Sequence, residues 1–225
     1  MHYDRVSRGE FLARPNRFIA HVSLGGRQVV CHVKNTGRCR ELLVPGATVY
    51  LAASAAPGRK TAWDLIAVEK GDRLINMDAQ APNRVFAAFA RQFAPGVTAI
   101  RPEYTVGQSR LDFCLELSDG GRHFVEVKGV TLEQEGHARF PDAPTERGIK
   151  HLQELTRLVA EGHRATAFFV IQMASATDFS PNDATHPAFG EALRQAARAG
   201  VEVVAYTCCV TPDSLEIDRP IPVIL

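Results

Sequence analysis

The strongest constraint on the fold of this chain comes from two long apolar segments, RATAFFVIQM at residues 164–173 and VEVVAYTCCV at 201–210. Near-continuous apolar segments of this length are typical of strands buried on both faces of a sheet. Each of them follows a segment with helical periodicity, at 145–162 or 186–200. Thr145 offers an N-cap to the first of these helices.

The preceding segments extend this pattern. NRVFAAFARQF at 83–93 has apolar residues at helical spacing, and AIRPEYTVG, RLDFCLEL and RHFVEVKGVTL read as three strands. The resulting order is helix, three strands, helix, strand, helix, strand. This order predicts an α/β sandwich built around a mixed sheet.

The first third of the chain has a different pattern of apolar segments. The segments RFIAHVSL, RQVVCHVKN, ATVYLAAS and AWDLIAVEK have strand length, and Gly- and Pro-containing turns separate them. A short helix is expected at GRCRELL, residues 37–43. Several short strands in about 65 residues predict a small barrel such as an OB-fold, although periodicity fits other small barrels equally. We therefore divide the chain into domains at 1–78 and 79–225.

Composition narrows the class of protein. The chain is 45% hydrophobic and 23% charged, and no apolar run reaches the ~18 residues that a membrane helix needs. Its first residues, MHYDRVSRGEF, lack the apolar core of a signal peptide. Its five cysteines are odd in number and form no C-x-x-C pair, so reduced, mostly buried thiols are expected. These features predict a cytoplasmic protein with no membrane partner.

Charge is distributed unevenly along the chain. Residues 1–78 hold 12 Lys and Arg against 7 Asp and Glu, a balance of +5, and the remainder has a balance of −4. A basic N-terminal domain fits a phosphate-rich partner. Ordinary solvated surface charge explains the same numbers, so charge alone leaves both interpretations open.

Ionisable residues interrupt the apolar pattern of the hairpin RLDFCLELSDGGRHFVEVKGVT, residues 110–131. Strict alternation places Leu111 and Phe113 on one face and Asp112 on the other, and it places Glu126 and Lys128 together. A two-residue turn would put Asp112 opposite Val127, on the wrong face, whereas a three-residue turn brings it to the face of Glu126 and Lys128. The glycines of SDGG permit the longer turn without requiring it.

The chemistry of such a cluster is specific. Two close carboxylates repel each other unless a cation lies between them. Hard oxygen ligands with open positions suit Mg²⁺ or Mn²⁺, which activates water and stabilises charge on a phosphate. A lysine on the same strand face can position the attacking water. The alternative is an exposed strand face with ordinary salt bridges, which a lone E-x-K motif fits as well.

The spacing of Asp112, Glu126 and Lys128 on adjacent strands between two helices resembles the PD-(D/E)xK nuclease core. Asp112 matches the Asp of that motif, and Glu126 and Lys128 match its E-x-K. Leu111 stands where the motif has Pro, a change that this group of proteins tolerates. The resemblance implies that Asp112 and Glu126 bind the metal and that all three residues are catalytic. Glu103 could add a carboxylate that supports the metal ligands or binds a second metal, and strand surface is the alternative for it.

Longer blocks extend the resemblance to nearly the whole chain. FLARPNRFIAHV, CHVKNTGRCRELLVPGATVYL, SRLDFCLEL, FVEVKGVTLE and FPDAPTERGIKHLQEL occur in this order, and together they resemble the sugar fermentation stimulation protein family of bacteria. This resemblance implies an N-terminal OB-like domain, a C-terminal PD-(D/E)xK nuclease-like domain and binding to nucleic acid, DNA more readily than RNA. The name of the family refers to an effect on sugar metabolism genes, and catalysis in the family is inferred from its nuclease-like core.

Nucleic acid would contact basic residues of both domains. OB-type barrels grip strands through a basic groove with stacking aromatic residues; Phe11 and Phe18 are candidates, although core packing is the expected role of each. Arg147 and Lys150, at the start of the helix at 145–162, are candidate phosphate contacts, and a solvent-facing helix surface explains them equally well. The candidate phosphate contacts of the barrel are Arg14, Arg17, Lys34, Arg38 and Arg40.

Three functions are therefore in competition. The first is a metal-dependent phosphodiesterase acting on nucleic acid. The second is a non-catalytic DNA-binding regulator of sugar metabolism genes that retains a nuclease-like fold. The third is a sugar-active enzyme, which also needs two carboxylates but leaves Lys128 and the basic barrel without a role. A homodimer is also open, because the last strand, IPVIL, could pair within the sheet or with a second subunit.

Overall fold

A closed β-barrel forms the N-terminal part of the computed structural model, which describes residues 1–35, 37–54, 58–107 and 109–225. β1 pairs with β2 and β4, and a parallel pairing of β3 with β5 closes a barrel of five strands, from which β6 extends. Phe11, Val22, Cys31 and Leu65 are fully buried inside it. The predicted OB-like barrel is confirmed. Its strands are β1 (Val6–Asn16), β2 (Ile19–Leu24), β3 (Arg27–Val33), β4 (Thr48–Ala53), β5 (Trp63–Lys70) and β6 (Arg73–Asn76).

The short helix expected at 37–43 does not form. This segment consists of turns, and Cys39 adopts a left-handed φ of +45°, which a right-handed helix cannot include. The guanidinium of Arg14 donates to the carbonyls of Gly37 and Arg38, at 2.9 and 2.8 Å. A long-range contact of the barrel therefore takes the carbonyls that a helix would have used.

The α/β domain follows the barrel and has a six-stranded mixed sheet in the order β15-β14-β12-β9-β8-β7. The central strands β9, β12 and β14 are parallel, and the flanking strands are antiparallel. This confirms the predicted α/β sandwich with a mixed sheet. Its elements are α1 (Ala81–Phe93), β7 (Val97–Val106), β8 (Ser109–Leu117), β9 (Arg122–Val130), β10 (Leu132–Gln134), β11 (His137–Phe140), α2 (Glu146–Ala160), β12 (Arg164–Ile171), β13 (Asp178–Pro181), α3 (Pro187–Arg198), β14 (Glu202–Thr211) and β15 (Ser214–Ile221).

Helices cover both faces of this sheet. Phe168 of β12 packs on Phe86 of α1, with ring centroids 4.9 Å apart, whereas the adjacent Phe169 lies in the core on the side of α2 and α3. Successive side chains of a strand point to opposite faces. Because both faces are covered, both phenylalanines are buried, which explains the near-continuous apolar pattern of β12.

The C-terminal segment pairs within the chain. Val223 forms a parallel bridge with Phe179 of β13, and the amide of Phe179 donates to the carbonyl of Pro222 at 2.9 Å. This pairing accounts for the terminal strand without a second subunit, and the homodimer stays a prediction. Among the described residues, no helix is both long enough and apolar enough to span a bilayer.

A buried polar network joins the barrel to the α/β domain. Asp78 is completely buried, and its carboxylate accepts from Lys34 Nζ at 2.8 Å and from the hydroxyl of Tyr3 at 3.3 Å. Gln172, which follows β12, donates to Asn76 Oδ1 and to the carbonyl of Asp78, at 3.0 and 3.1 Å. Residues 1–3 themselves lie against β15 and the turn before it. The domain boundary at 78/79 stays a prediction.

His123 makes the stability of the sheet dependent on pH. Its Nε2 is 2.7 Å from Thr166 Oγ1, and burial, assisted by the charge of Arg164, lowers its pKa from 6.5 to about 4. Well above pH 6.5 the imidazole is neutral in both the folded and the unfolded chain. As the pH falls toward 4, the unfolded chain takes up a proton that the folded protein excludes, so stability is lost.

We expect the free energy of unfolding to fall between pH 7.5 and pH 5 by about 2 kcal/mol more in the wild type than in His123→Gln. The Gln amide keeps a donor for Thr166 but does not titrate. Urea unfolding at both pH values measures the difference. Equal losses in the two proteins would show that His123 carries no such linkage.

Candidate active site

The turn between β8 and β9 fixes the register that the sequence left open. Phe113 pairs with Val125 and Glu116 with Arg122, and the amide of Leu117 donates to the carbonyl of Gly121 at 3.0 Å. The loop therefore has three residues, and Gly120 supplies the left-handed φ of +82° that it needs. This register, carried one residue beyond Phe113, sets Asp112 opposite Glu126.

Asp112 lies where the ladder between β8 and β9 ends. Its Oδ2 accepts the amide of Val127 at 2.9 Å, and its Oδ1 accepts Asn83 Nδ2 of α1 at 2.9 Å. The strict alternation expected for β8 breaks here, because Leu111 packs in the core on the α2 side and Phe113 in the core on the α1 side. Asp112 is thus held between the two strands and reaches both β9 and α1.

Glu126 is the centre of the cluster and is almost fully buried. Its Oε1 accepts from Lys128 Nζ and from His151 Nδ1, while its Oε2 is buried without a hydrogen-bond partner in the described part of the chain. Nε2 of His151 accepts from Arg147 Nε at 3.3 Å, which assigns the Nδ1–H tautomer to the imidazole. Two residues of α2 therefore position the carboxylate of β9.

His151 was missed as a site residue by sequence reasoning. It belongs to no group of residues with metal-ligand spacing in the sequence. A better signal was its position in the buried stripe of α2, beside Leu152 and Leu155. A buried polar side chain in an apolar stripe requires a polar partner, and Glu126 on the facing strand is that partner.

The environments of the two carboxyl groups push their pKa values apart. Burial raises the pKa of Glu126, but the hydrogen bond from His151 and the charge of Lys128 outweigh burial, so its pKa is lowered. Burial, with the charge of Glu126, raises the pKa of Asp112 above its ordinary value. Glu126 is therefore the firmly ionised member of the pair, and Asp112 is the member that takes up a proton more readily.

The donor set fits a hard divalent cation. Oε2 of Glu126 is an anionic acceptor with no proton donor among the described residues, and the charge of Glu126 acts on the carboxylate of Asp112. Within residues 1–35, 37–54, 58–107 and 109–225, no group of three or more His, Cys, Asp and Glu has metal-binding spacing. Two carboxylates would leave most coordination positions to water and phosphate oxygens, which is how Mg²⁺ commonly binds.

Three further predicted residues lie on β7 and α2. Glu103 is across from Asp112 on β7, but its exposed carboxylate forms an ion pair with Arg110 at 3.4 Å. Arg147 contacts His151, and its side chain is otherwise exposed on α2. Lys150 is also exposed on that helix. The structure thus brings Arg147 to the cluster and turns the carboxylate of Glu103 toward solvent.

Two of the predicted barrel cations are occupied internally. Arg14 donates to four backbone carbonyls, those of Gly37 and Arg38 and also those of Arg17 and Asn35 at 2.8 and 2.7 Å. Lys34 forms the buried ion pair with Asp78. These contacts hold the turn segment at 37–43 and the domain junction.

The other three barrel cations, Arg17, Arg38 and Arg40, are exposed and line one open groove. Phe18 is beside them, 46% exposed, with the guanidinium of Arg17 5.1 Å above the centroid of its ring. The expected core role therefore holds for Phe11 and is wrong for Phe18, because β2 begins only at Ile19.

Lys128 should stabilise the protein by neutralising Glu126. We expect Lys128→Met to lower the free energy of unfolding by about 1–3 kcal/mol, because the buried carboxylate loses a charged donor. In a Glu126→Gln background the same substitution should cost clearly less. Urea unfolding of the four proteins at pH 7.5 with EDTA tests this coupling, and strictly additive losses would contradict it.

Comparison with known proteins gives a consistent result. Residues 12–77 match the model of the SfsA N-terminal OB domain, and residues 80–214 match that of the sugar fermentation stimulation protein RE domain. Sugar fermentation stimulation protein homologs from Desulfitobacterium hafniense strain Y51 and from Clostridium beijerinckii are 54% and 49% identical, over 96% and 100% of this chain and 95% and 100% of their own lengths.

A solved structure agrees with these matches over the whole molecule. SfsA from Pyrococcus furiosus in complex with Ca²⁺ superimposes with a TM-score of 0.90 at 30% identity, covering 100% of this chain and 98% of the other. The resemblance drawn from the sequence and the predicted fold, an OB-like barrel followed by an α/β domain with a mixed sheet, are both confirmed. The chain belongs to the sugar fermentation stimulation protein family.

Proposed function

We propose that this protein is a metal-dependent phosphodiesterase that cleaves nucleic acid, with DNA as the preferred substrate. The observation that carries the proposal is the register of the β8–β9 hairpin, which brings Asp112 and Glu126 together beside Lys128. Glu126 keeps one buried oxygen without a donor, as a metal ligand would. The nuclease-like fold agrees with this chemistry.

Asp112 and Glu126 would hold Mg²⁺ or Mn²⁺. When bound, such a cation lowers the pKa of water and stabilises negative charge on a phosphate. The Pyrococcus furiosus relative was solved with Ca²⁺, another hard cation that prefers oxygen ligands. Asn83 and the amide of Val127 orient the Asp112 carboxylate, and His151 orients that of Glu126.

Lys128 would act on the reacting phosphate. Its side chain is 21% exposed, so it can contact a substrate while it remains bonded to Glu126. In that position it donates to the attacking water or to a phosphate oxygen on which charge develops. Arg147 and Lys150 are candidate phosphate contacts, since both are exposed on α2. Arg147 is also connected to Glu126 through His151.

The barrel would hold the strand. Arg17, Arg38 and Arg40 present three cations to one groove, and the exposed ring of Phe18 offers a face on which a base can stack. We assign Arg14 and Lys34 to holding the fold instead, because their cationic groups are bonded to carbonyls and to Asp78.

Cleavage should require both the cluster and a metal. With labelled single- and double-stranded DNA and RNA, we expect cleavage in Mg²⁺ or Mn²⁺, none in EDTA, and a loss of at least 100-fold in Glu126→Ala and Lys128→Ala. Glu116→Ala is the matched control, because Glu116 is a carboxylate of the same hairpin that pairs with Arg101 outside the cluster.

Each result separates the proposal from its alternative. Metal-dependent cleavage that survives in Glu116→Ala and disappears in the other two variants would establish the phosphodiesterase. Binding without cleavage under any metal would favour the non-catalytic DNA-binding regulator, and the cluster would then serve the fold alone.

The barrel groove should determine the salt dependence of binding. We expect Arg38→Ala combined with Arg40→Ala to reduce the slope of log K against log salt by about 1–2. Binding releases fewer counterions when the protein contacts fewer phosphates. Arg122→Ala combined with Arg164→Ala removes the same charge at the N-terminal ends of β9 and β12 and should leave the slope unchanged. Fluorescence anisotropy at several salt concentrations measures both, and an unaltered slope in the first variant would exclude this groove.

A further inference from the structure

A cavity of ≈ 100 Å³ lies between the barrel and the α/β domain, several times the ~10–15 Å³ that one water needs. It is at the carboxyl ends of the parallel strands β9 and β12, the edge at which open α/β sheets bind ligands. Its polar lining residues are Asn35, Thr131, Arg139, Asp142 and Gln172.

The walls of this cavity are built by close packing. A Cβ at Gly37 would collide with Asp142 Oδ2, so the barrel backbone passes directly against that carboxylate. A Cβ at Gly129 would lie 2.5 Å from Gln172 Oε1 and 2.6 Å from Pro82 Cγ. Gln172 is fixed in turn by its hydrogen bonds to Asn76 and Asp78. The cavity therefore has preformed walls from both domains.

The lining combines donors and acceptors. Nε of Arg139 is buried, and the described residues offer it no hydrogen-bond partner and hold no carboxylate within ion-pair distance of its guanidinium. The carboxylate of Asp142 and Oε1 of Gln172 are acceptors in the same lining. A phosphate offers acceptors only and would be repelled by Asp142. The ligand that satisfies both kinds of group carries acceptors and donors on a compact polar edge.

We propose that this cavity receives one nucleobase of the bound strand, and that guanine is the preferred base. Arg139 can donate to guanine O6 and N7, the commonest specific contact of arginine with a base, and Asp142 can accept from its N1–H and N2 amine. Gly129 directly follows Lys128 in the chain, so the base belongs to a nucleotide next to the phosphate at the cluster. This assignment rests on the proposed function and adds base selectivity to it.

Binding of short oligonucleotides tests the assignment without cleavage. Labelled thymine hexamers with one central guanine, hypoxanthine, adenine or cytosine, and the all-thymine hexamer, are titrated in EDTA with the wild type, Arg139→Met, Asp142→Asn and Arg122→Met as control. We expect the wild type and the control to prefer the guanine hexamer about 10-fold over the all-thymine hexamer. Arg139→Met should lose this preference and keep its affinity for the all-thymine hexamer within about twofold. Asp142→Asn should lose the distinction between guanine and hypoxanthine, which lacks the N2 amine.

Equal wild-type affinity for all hexamers, no measurable binding, or a guanine preference that persists in Arg139→Met would each overturn the assignment. The same hexamers incubated with Mn²⁺ keep the two proposals apart. Cleavage without base preference would leave the phosphodiesterase standing and remove the base pocket. Base preference without cleavage would support the pocket and count against the phosphodiesterase.

Discussion

The candidate site depends on the number of residues in the β8–β9 turn, because this number sets the register of the two strands. A change of one residue in loop length would set Asp112 opposite Val127 instead of Glu126. Gly120 adopts the left-handed conformation that the three-residue loop requires. The amide of Val127 then reaches the carboxylate of Asp112 at the point where the two strands separate. Gly120 is separated from Asp112 by more than about 20 Å along the strand, at ~3.3 Å per residue. Its backbone conformation thus decides whether the two carboxylates meet.

The second constraint is the burial of Glu126. An ionised carboxylate in the interior is costly unless it is paired and hydrogen-bonded. Lys128 and His151 provide the pairing at one oxygen, and Arg147 fixes the imidazole from its other side. The same contacts tie α2 to the centre of the sheet. The second oxygen is left without a donor, so the arrangement stabilises the charge and keeps an anionic ligand available.

The junction between the domains also contains a buried carboxylate that is paired with a lysine. Asp78 is completely buried, and Lys34 of the barrel neutralises it. Gln172 connects this network to the end of β12, and Gly37 lets the barrel backbone pass against Asp142. Groups of both domains therefore line one cavity, whose wall includes Gly129, the residue after Lys128.

By itself, the sequence determined the three helices and the main strands of the α/β domain and the chemistry of the hairpin. Periodicity predicted the strands and helices because each pattern is local, and alternation placed Glu126 and Lys128 on one strand face. The tertiary structure decided the rest. It chose the hairpin register, recruited His151 from α2, occupied Arg14 and Lys34 within the fold, and left Phe18 exposed. Those outcomes depend on partners that are distant in the chain, and residue type alone does not distinguish an arginine that holds a loop from one that faces a phosphate.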